Sequence, residues 1–225
     1  MATATVYLSV GGAAELVRQG SVEVLETVAK IPDPNDPILV TLRARPGSKQ
    51  ATYLQQKVSG DNLIVSGVLH LEDSQPILTP QVICKATEDQ YFNEVVIVGN
   101  LSEKVRQAEK SCSRSMGESR PVRKGDDWEE HTDWFVVRGY ASANGNSSIK
   151  DRLTNAPKGS LIQVNGALSQ RTSKTNEPYV EVKARSLRVH KRGGGSVPDP
   201  AADRDSVGYD HDSFTESQVD MPSNW

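Results

Sequence analysis

Residues 134–140 carry the most distinctive chemistry in the chain, in the order Trp-Phe-Val-Val-Arg-Gly-Tyr. Alternation along a β-strand places Trp134, Arg138 and Tyr140 on one face and leaves apolar residues between them for a barrel core. Two flat rings with a cation between them suit single-stranded nucleic acid, because every base has a face that can stack and every nucleotide has a phosphate. The alternative is a core Trp and a core Tyr beside an ordinary surface Arg, and the pattern by itself favours neither.

Basic charge is concentrated in the middle of the chain, although the whole chain has a net charge of −3. Residues 1–90 hold 7 Lys and Arg against 10 Asp and Glu, and residues 91–192 hold 18 against 12. Residues 193–225 hold a single Arg against 7 acidic residues. The middle part therefore has a net charge of +6 between two negative parts. Such asymmetry is typical of a chain whose parts meet different partners.

Strand signals dominate residues 1–190, which contain short β-branched runs bounded by Gly, Pro, Asn and Asp. Long helical periodicity is absent, and residues 13–27 could form either a short helix or a further strand. We therefore predict an all-β fold with one or two minor helices, in which residues 134–140 are one of the strands.

An internal repeat divides this all-β region into two halves. Matching segments follow the same order in both halves, and the growing offset between them indicates longer loops in the second half. The alternative is a chance similarity between two β domains. This alignment makes Ile38 and Ala44 the expected counterparts of Trp134 and Tyr140, so the first half lacks the aromatic platform. The matched segments are 10–12 with 98–100, 36–42 with 132–138, 60–67 with 159–166, and 72–83 with 174–185.

Four segments of the second half occur in the order and spacing of a known family. They are Asn-Glu-Val-Val-Ile-Val-Gly-Asn-Leu at 93–101, Thr-Asp-Trp-Phe-Val-Val-Arg-Gly-Tyr at 132–140, Lys-Gly-Ser-Leu-Ile-Gln-Val-Asn-Gly-Ala-Leu at 158–168, and Tyr-Val-Glu-Val at 179–182. These segments resemble bacterial single-stranded DNA-binding proteins over about residues 93–190. The resemblance implies an oligonucleotide/oligosaccharide-binding (OB) fold, a small closed β-barrel, in which Trp134 and Tyr140 stack on bases.

Together, the repeat and the resemblance imply two tandem five-stranded OB barrels. The first, at 1–90, is expected to be a degenerate copy that serves assembly or an auxiliary role, and the second, at 93–192, to bind single-stranded DNA. The expected DNA-binding residues are Trp134, Arg138, Tyr140, Trp128, Lys158, Arg171 and Lys174.

Three features of the second half depart from the family. The hairpin at 169–174 has no stacking aromatic, which leaves Arg171 and Lys174 to contact phosphate. Residues 103–127 are unusually polar for a second strand, and Trp128 falls in an expected loop.

Residues 193–225 are expected to form a disordered acidic tail, because three consecutive glycines end the barrel and the residues after them are rich in Asp, Ser and Pro. The family ends in an acidic run that closes with Pro-Phe, and here Asp220, Met221, Pro222 and Trp225 resemble that ending. A short peptide with one large anchor and a carboxylate can dock in a basic-rimmed pocket. The alternative is an inert solubilising tail.

No catalytic, cofactor or metal arrangement is recognisable in the sequence. Cys84 and Cys112 are isolated and expected to be reduced and partly buried, and the four His residues lack ligand spacing. No phosphate-binding glycine loop and no Ser-His-Asp arrangement can be placed. We therefore expect a binding protein without a cofactor, not an enzyme, located in the cytoplasm with the nucleoid.

The resemblance also implies partners. These are single-stranded DNA, replication, repair and recombination proteins that dock on the tail tip, and further copies of the chain. Two barrels per chain make a homodimer sufficient, and a single functional barrel would require a homotetramer. Two alternatives are an OB protein for single-stranded RNA, since stacking does not exclude a 2′-hydroxyl, and an assembly or regulatory protein that binds no nucleic acid.

Overall fold

The computed structural model of the chain describes residues 1–19, 22–33, 36–87, 91–124, 127–142, 148–173 and 176–192, with the backbone alone at 123 and 124. Strands dominate this part of the chain and join a single sheet, so the all-β prediction is confirmed. The elements are β1 (Ala2–Val10), β2 (Glu15–Gln19), β3 (Val22–Ile31), β4 (Ile38–Ala44), α1 (Lys49–Gln55), β5 (Asn62–Glu72), β6 (Gln75–Lys85), β7 (Asn93–Gln107), β8 (Ser111–Lys124), β9 (Asp127–Tyr140), α2 (Ile149–Asn155), β10 (Leu161–Thr172) and β11 (Pro178–Lys191).

Five of the first six strands close into a barrel. β1 pairs with β3 and β5, β3 pairs with β4, and β5 pairs with β6, all antiparallel. A parallel pairing of β4 with β6 completes the circuit. β2 lies outside it as a partner of β3, so the segment 13–27 belongs to a pair of strands and not to a helix.

Strands β7 to β11 repeat this circuit. β7 pairs with β8 and β10, β8 with β9, and β10 with β11, and the parallel pairing of β9 with β11 closes the second barrel. In each barrel a helix connects the third and fourth strands of the circuit. The predicted pair of five-stranded OB barrels is therefore confirmed.

The two barrels are joined through β1 and β7, which pair antiparallel from Ala2 opposite Ile97 to Val6 opposite Asn93. Residues Met1–Gly194 consequently form one compact unit. The second unit, Gly195–Trp225, lies outside the described residues, as does the predicted disorder of the tail.

One segment of the sequence alignment between the barrels is confirmed by the strand registers. Gly67 and Gly166, matched in the sequence, lie at the same irregularity of their barrels, where the fourth strand pairs with the fifth. Gly67 pairs with Pro80, and Gly166 pairs with Ala184. These pairings give the true match between β6 and β11.

The alignment of β4 with β9 is wrong by one residue. Counting back three residues along β6 and β11 from these pairings matches Ile77 with Glu181. Ile77 lies opposite Thr41 and Glu181 lies opposite Val136, so Thr41 is the counterpart of Val136. The alignment of residues 10–12 with 98–100 is wrong by three residues, and that of residues 72–83 with 174–185 is wrong by two.

This one-residue correction changes which side of the barrel each residue faces, because neighbouring side chains in a strand point to opposite faces. Leu39 is exposed like Trp134, whereas Ile38 is fully buried. The structural counterparts of Trp134 and Tyr140 are Leu39 and Arg45, in place of Ile38 and Ala44.

The inward faces of β4 and β9 build the two cores by simple alternation. Val40 and Leu42 in β4, and Phe135 and Val137 in β9, are each at most 2% exposed. The predicted separation of an apolar face from an outward face in residues 134–140 thus holds along the strand.

The polar segment 103–127 contributes to β7 and β8, and an arginine forms part of the inward face of β8. Cys112, Arg114 and Met116 are all buried. The Arg114 guanidinium donates hydrogen bonds to the carbonyls of Leu153 and Ala156, at 3.0 and 2.5 Å, at the C-terminal end of α2. A cation there satisfies carbonyls that a helix leaves unpaired, so this polar residue belongs to the barrel structure.

Both helices begin after a serine that caps the first turn. Ser48 and Ser148 each accept a hydrogen bond from the backbone N–H three residues later, and Asp151 completes a capping box with Ser148.

Cys112 is buried but Cys84 is exposed, so partial burial of both was a wrong expectation, although both are free thiols. In the described ranges no helix has the length and apolar character to cross a membrane.

Candidate nucleic-acid interface

The outward side of β9 carries three aromatic residues, Trp128, Trp134 and Tyr140, at intervals of six residues. Trp128 and Trp134 are 69% and 56% exposed, and Tyr140 is half-buried. A strand rises about 3.3 Å per residue, so each interval is about 20 Å along the strand. Trp134 lies outside the core, contrary to the alternative considered for this pattern.

Trp128 lies within a strand and not in the expected loop. β8 and β9 remain paired as far as Lys124 and Asp127, which makes them a long hairpin. Near its end the hairpin forms a shallow concave surface, so Trp128 extends the line of aromatics beyond the barrel. This surface is lined by Ser119, Arg120, Pro121, Trp128, Glu129 and Glu130.

Trp134 is supported by a glycine on the neighbouring strand. Gly117 lies directly opposite Trp134 in the pairing of β8 with β9. A Cβ atom at Gly117 would be 3.2 Å from two carbons of the indole and 3.1 Å from Thr132, so the ring lies against the backbone there. The six-membered ring of the indole thus lies close to the backbone of β8, while more than half of the residue remains exposed.

Arg138 is ion-paired with a buried acid on β11. Its Nε atom lies 2.7 and 2.8 Å from the two carboxylate oxygens of Glu181, which is 1% exposed. Its other nitrogens contact Ser111 and Tyr179, at 3.4 Å each. Hydrogen bonding to Glu181 raises the pKa of Arg138 against the opposing effect of burial. The charge of Arg138 is therefore largely satisfied within the protein.

Arg171 connects the same acid to Tyr140. Its Nε donates to Glu181 at 3.1 Å, and its Nη2 donates to the Tyr140 hydroxyl at 2.8 Å. The ammonium of Lys183 lies 5.3 Å from the centre of the Tyr140 ring, within cation–π range. We call Glu181, Arg138, Arg171 and Tyr140 the Glu181 cluster. It brings together three of the predicted site residues.

Sequence reasoning did not single out Glu181, Gly117 or Lys183. Glu181 alternates with two valines, and an acid at such a position is ordinarily taken for a solvent-exposed residue. It is buried because Arg138 and Arg171 reach over it from neighbouring strands. The only sequence feature that could have indicated Glu181 was an acidic residue within a predicted strand of a basic domain. Its partners, Arg138 and Arg171, could not be inferred, because they depend on the register of β9, β10 and β11.

The remaining predicted residues lie elsewhere. Lys158 forms an exposed ion pair with Glu103, 2.9 Å apart, and such pairs contribute little to stability. Lys174 is outside the described residues, and so are the predicted docking residues of the tail, Asp220, Met221, Pro222 and Trp225. Among the residues that the structure describes, no group of three metal-ligating side chains occurs.

The equivalent face of the first barrel has a different character. Leu39, the counterpart of Trp134, is 46% exposed. Arg43, the counterpart of Arg138, hydrogen-bonds to Glu26 and Glu72, with its Nε 2.6 Å from Glu26. This face therefore carries an aliphatic side chain and an excess of acid where the second barrel carries an indole and an excess of base.

Two solved structures resemble the chain. The single-stranded DNA binding protein from Thermus aquaticus matches with a TM-score of 0.59 at 14% identity, over 88% of this chain and 97% of that chain. A deletion mutant of that protein matches with a TM-score of 0.57 at 14% identity, over 89% of this chain and 98% of that chain.

No protein-family model and no curated protein matches the sequence. At 14% identity the two structural matches establish the fold alone. The chain therefore shares its fold, two joined OB barrels, with the Thermus aquaticus protein.

Proposed function

We propose that the chain binds single-stranded DNA, with bases stacked on the aromatic residues of β9 and phosphates contacted by cations of the second barrel. The observation that carries this proposal is Trp134, which is 56% exposed near the centre of the paired strand β9 and lies against Gly117. Exposed aromatic rings beside cations are the usual platform for single strands. The shared fold with a single-stranded DNA binding protein supports the same function.

The two barrels have different roles. The second, at 93–192, binds DNA, because it has the aromatic line and the net charge of +6 over residues 91–192. The first, at 1–90, serves assembly, since Leu39 replaces the indole and two acids surround Arg43. With two barrels joined through β1 and β7 in each chain, a homodimer supplies four barrels.

The acidic tail recruits other proteins. Asp220, Met221, Pro222 and Trp225 form a tip with a large apolar anchor beside charge, which suits docking on basic pockets of replication, repair and recombination proteins. This function places the protein in the cytoplasm with the nucleoid. Deleting residues 220–225 should abolish retention of such partners on the immobilised chain, and unchanged retention would contradict the role of the tip.

The direct test is a titration of intrinsic Trp fluorescence with oligo(dT), oligo(rU) and duplex DNA at low and high salt. Stacking on Trp134 should quench the fluorescence with oligo(dT) at low salt, and added salt should reverse the quenching because phosphate contacts are salt-dependent. Stronger quenching by oligo(rU) would identify an RNA-binding protein. If neither single strand quenches the fluorescence, the result would favour an assembly or regulatory protein that binds no nucleic acid.

A further inference from the structure

Glu181 is an acid at the centre of the face that the proposed function assigns to a polyanion. It is 1% exposed and lies under two arginines. Removing a carboxylate from water costs free energy, and a carboxylate also repels phosphate, so the residue needs a compensating role. Its contacts identify that role.

Arg138 is the partner that satisfies Glu181. Both carboxylate oxygens lie within 2.8 Å of its Nε, and its side chain is 20% exposed. An arginine whose charge is already neutralised by a carboxylate attracts a phosphate only weakly. Arg138 therefore supports the cluster from within and is not a phosphate ligand.

Arg171 is arranged differently. Its side chain is 46% exposed, its bond to Glu181 is longer at 3.1 Å, and its Nη2 holds the Tyr140 hydroxyl at 2.8 Å. Two guanidinium groups share one carboxylate, so one positive charge remains, and it lies on the more exposed Arg171. The same side chain thus orients the Tyr140 ring and presents a cation beside it.

We infer that Glu181 is a positioning residue for single-stranded DNA: it neutralises Arg138 and holds Arg171 so that Arg171 orients Tyr140 and contacts one phosphate. This inference rests on the proposed function of the second barrel. The first barrel supports it by contrast, since the counterpart of Glu181 there is Ile77 and the counterpart of Tyr140 is Arg45, which has no ring to orient.

The test measures how log Kd for oligo(dT) varies with log salt concentration in the full chain. Each phosphate neutralised on a single strand contributes about 0.7 to the slope. Arg138→Gln and Arg171→Gln should each lower it by about 0.7, because Glu181 then neutralises the one arginine that remains. Glu181→Gln should raise it by about 0.7, because Arg138 then becomes available to a phosphate.

A double variant controls for loss of structure. Replacing Arg138 and Glu181 together, each by Gln, removes one positive and one negative charge, so the slope should return to the wild-type value. If Glu181→Gln alone does not fold, Arg138→Gln and the double variant still carry the test. Arg43→Gln, at the equivalent position of the first barrel, is the matched control and should not change the slope.

The link to Tyr140 is tested by a double-mutant cycle. Tyr140→Phe removes the hydroxyl that Arg171 holds and should weaken binding about threefold in the wild type, as expected for the loss of one hydrogen bond. In the Glu181→Gln background the same change should have no effect, since Arg171 is no longer held. Equal effects in both backgrounds would overturn the positioning role.

The outcomes separate the inference from the function on which it rests. A wild-type chain that does not bind oligo(dT) overturns the proposed function. A wild-type chain that binds, but whose slope does not rise on Glu181→Gln and does not return to the wild-type value in the double variant, overturns the inference alone, because Glu181 then neutralises neither arginine.

Discussion

Arg43 and Arg138 occupy the same position in the two barrels, and each is ion-paired with an acid from a different strand. Arg43 bonds to Glu72 on β5 and to Glu26 on β3, whereas Arg138 bonds to Glu181 on β11. The first barrel therefore has two acids around one arginine. In the second barrel two arginines surround one acid, so the same place in the fold carries opposite net charge.

Three exchanges produce this difference. Glu26, opposite Arg43, stands where the second barrel has Ser113, opposite Arg138. Glu72 stands where the second barrel has Arg171, and Ile77 stands where it has Glu181. The backbone registers at these positions are the same, so the two barrels differ here in their side chains and not in their topology. Only the second arrangement is electrostatically suited to a phosphate chain.

Replacing Trp134 by Ala should weaken binding of oligo(dT) by about 1–3 kcal/mol, because one stacked base loses its platform. The melting temperature should change little, since the indole is 56% exposed. Fluorescence titration and thermal melting measure the two effects. Leu39→Ala, at the structurally equivalent position of the first barrel, is the matched control and should leave affinity as it is. An equal loss in both variants would argue against a special role of the second barrel.

Gly117→Ala should weaken binding of oligo(dT), although no aromatic residue is replaced. The added Cβ would lie 3.2 Å from the Trp134 ring, which must then move outward from its support. We expect a several-fold loss of affinity and a changed Trp emission spectrum. Gly12→Ala, whose Cβ would meet nothing within 4 Å, provides the comparison. An unaltered Trp134 signal in Gly117→Ala would show that the glycine does not support the ring.

Gly166→Ala should destabilise the second barrel. A Cβ there would lie 2.4 Å from the backbone carbonyl oxygen of Lys183, and a backbone atom within a paired strand cannot move aside as a side-chain tip can. Overpacking of this kind costs about 1–3 kcal/mol. Urea unfolding would measure it, with Gly12→Ala again as the comparison. A free energy of unfolding equal to that of the comparison variant would contradict the registered pairing of β10 with β11.

Stability should decline as pH falls below about 6.5, partly through His70. Burial, followed by the charge of Arg120, holds the pKa of His70 below its usual value, although Glu72 and Asp133 act in the opposite direction. The neutral imidazole is therefore favoured in the folded chain. Its contribution is complete above the unfolded pKa and is lost as pH falls through the lower folded pKa.

Thermal melting of the wild type and of His70→Gln between pH 7.5 and 5 would measure this contribution. The melting temperature of the variant should depend less on pH over that range, because the titrating group has been removed. Parallel pH profiles for the two chains would show that His70 does not contribute.

Much of the fold follows from local sequence. The β-branched runs and the Gly, Pro, Asn and Asp residues that bound them carry their own structural preferences, so the all-β class and the two successive barrels could be predicted, whereas the additional strand β2 was not. The repeat was recognisable for the same reason. Its register was wrong in β4 because hydrophobic runs match nearly as well one residue apart, and only the pairing of β4 with β6 distinguishes the alternatives.

The candidate site divides in the same way. Alternation along residues 134–140 was sufficient to place Trp134, Arg138 and Tyr140 on one face, because that relation is local to a single strand. The role of Arg138 was not accessible, since its partner lies 43 residues later along the chain and on another strand. Trp128 was assigned to a loop because nothing local indicated that the β8–β9 pairing continues so far.

The sequence by itself determined the all-β class, the repeat, the distribution of charge and the shared face of Trp134 and Tyr140, because these depend on composition and on the two-residue period of a strand. The tertiary structure alone decided which cations are paired within the protein. Burial of Glu181 between β9, β10 and β11 pairs it with Arg138 and Arg171, and Arg171 in turn donates a hydrogen bond to the Tyr140 hydroxyl. Such assignments depend on hydrogen bonds between strands that are distant along the chain, which no local pattern specifies.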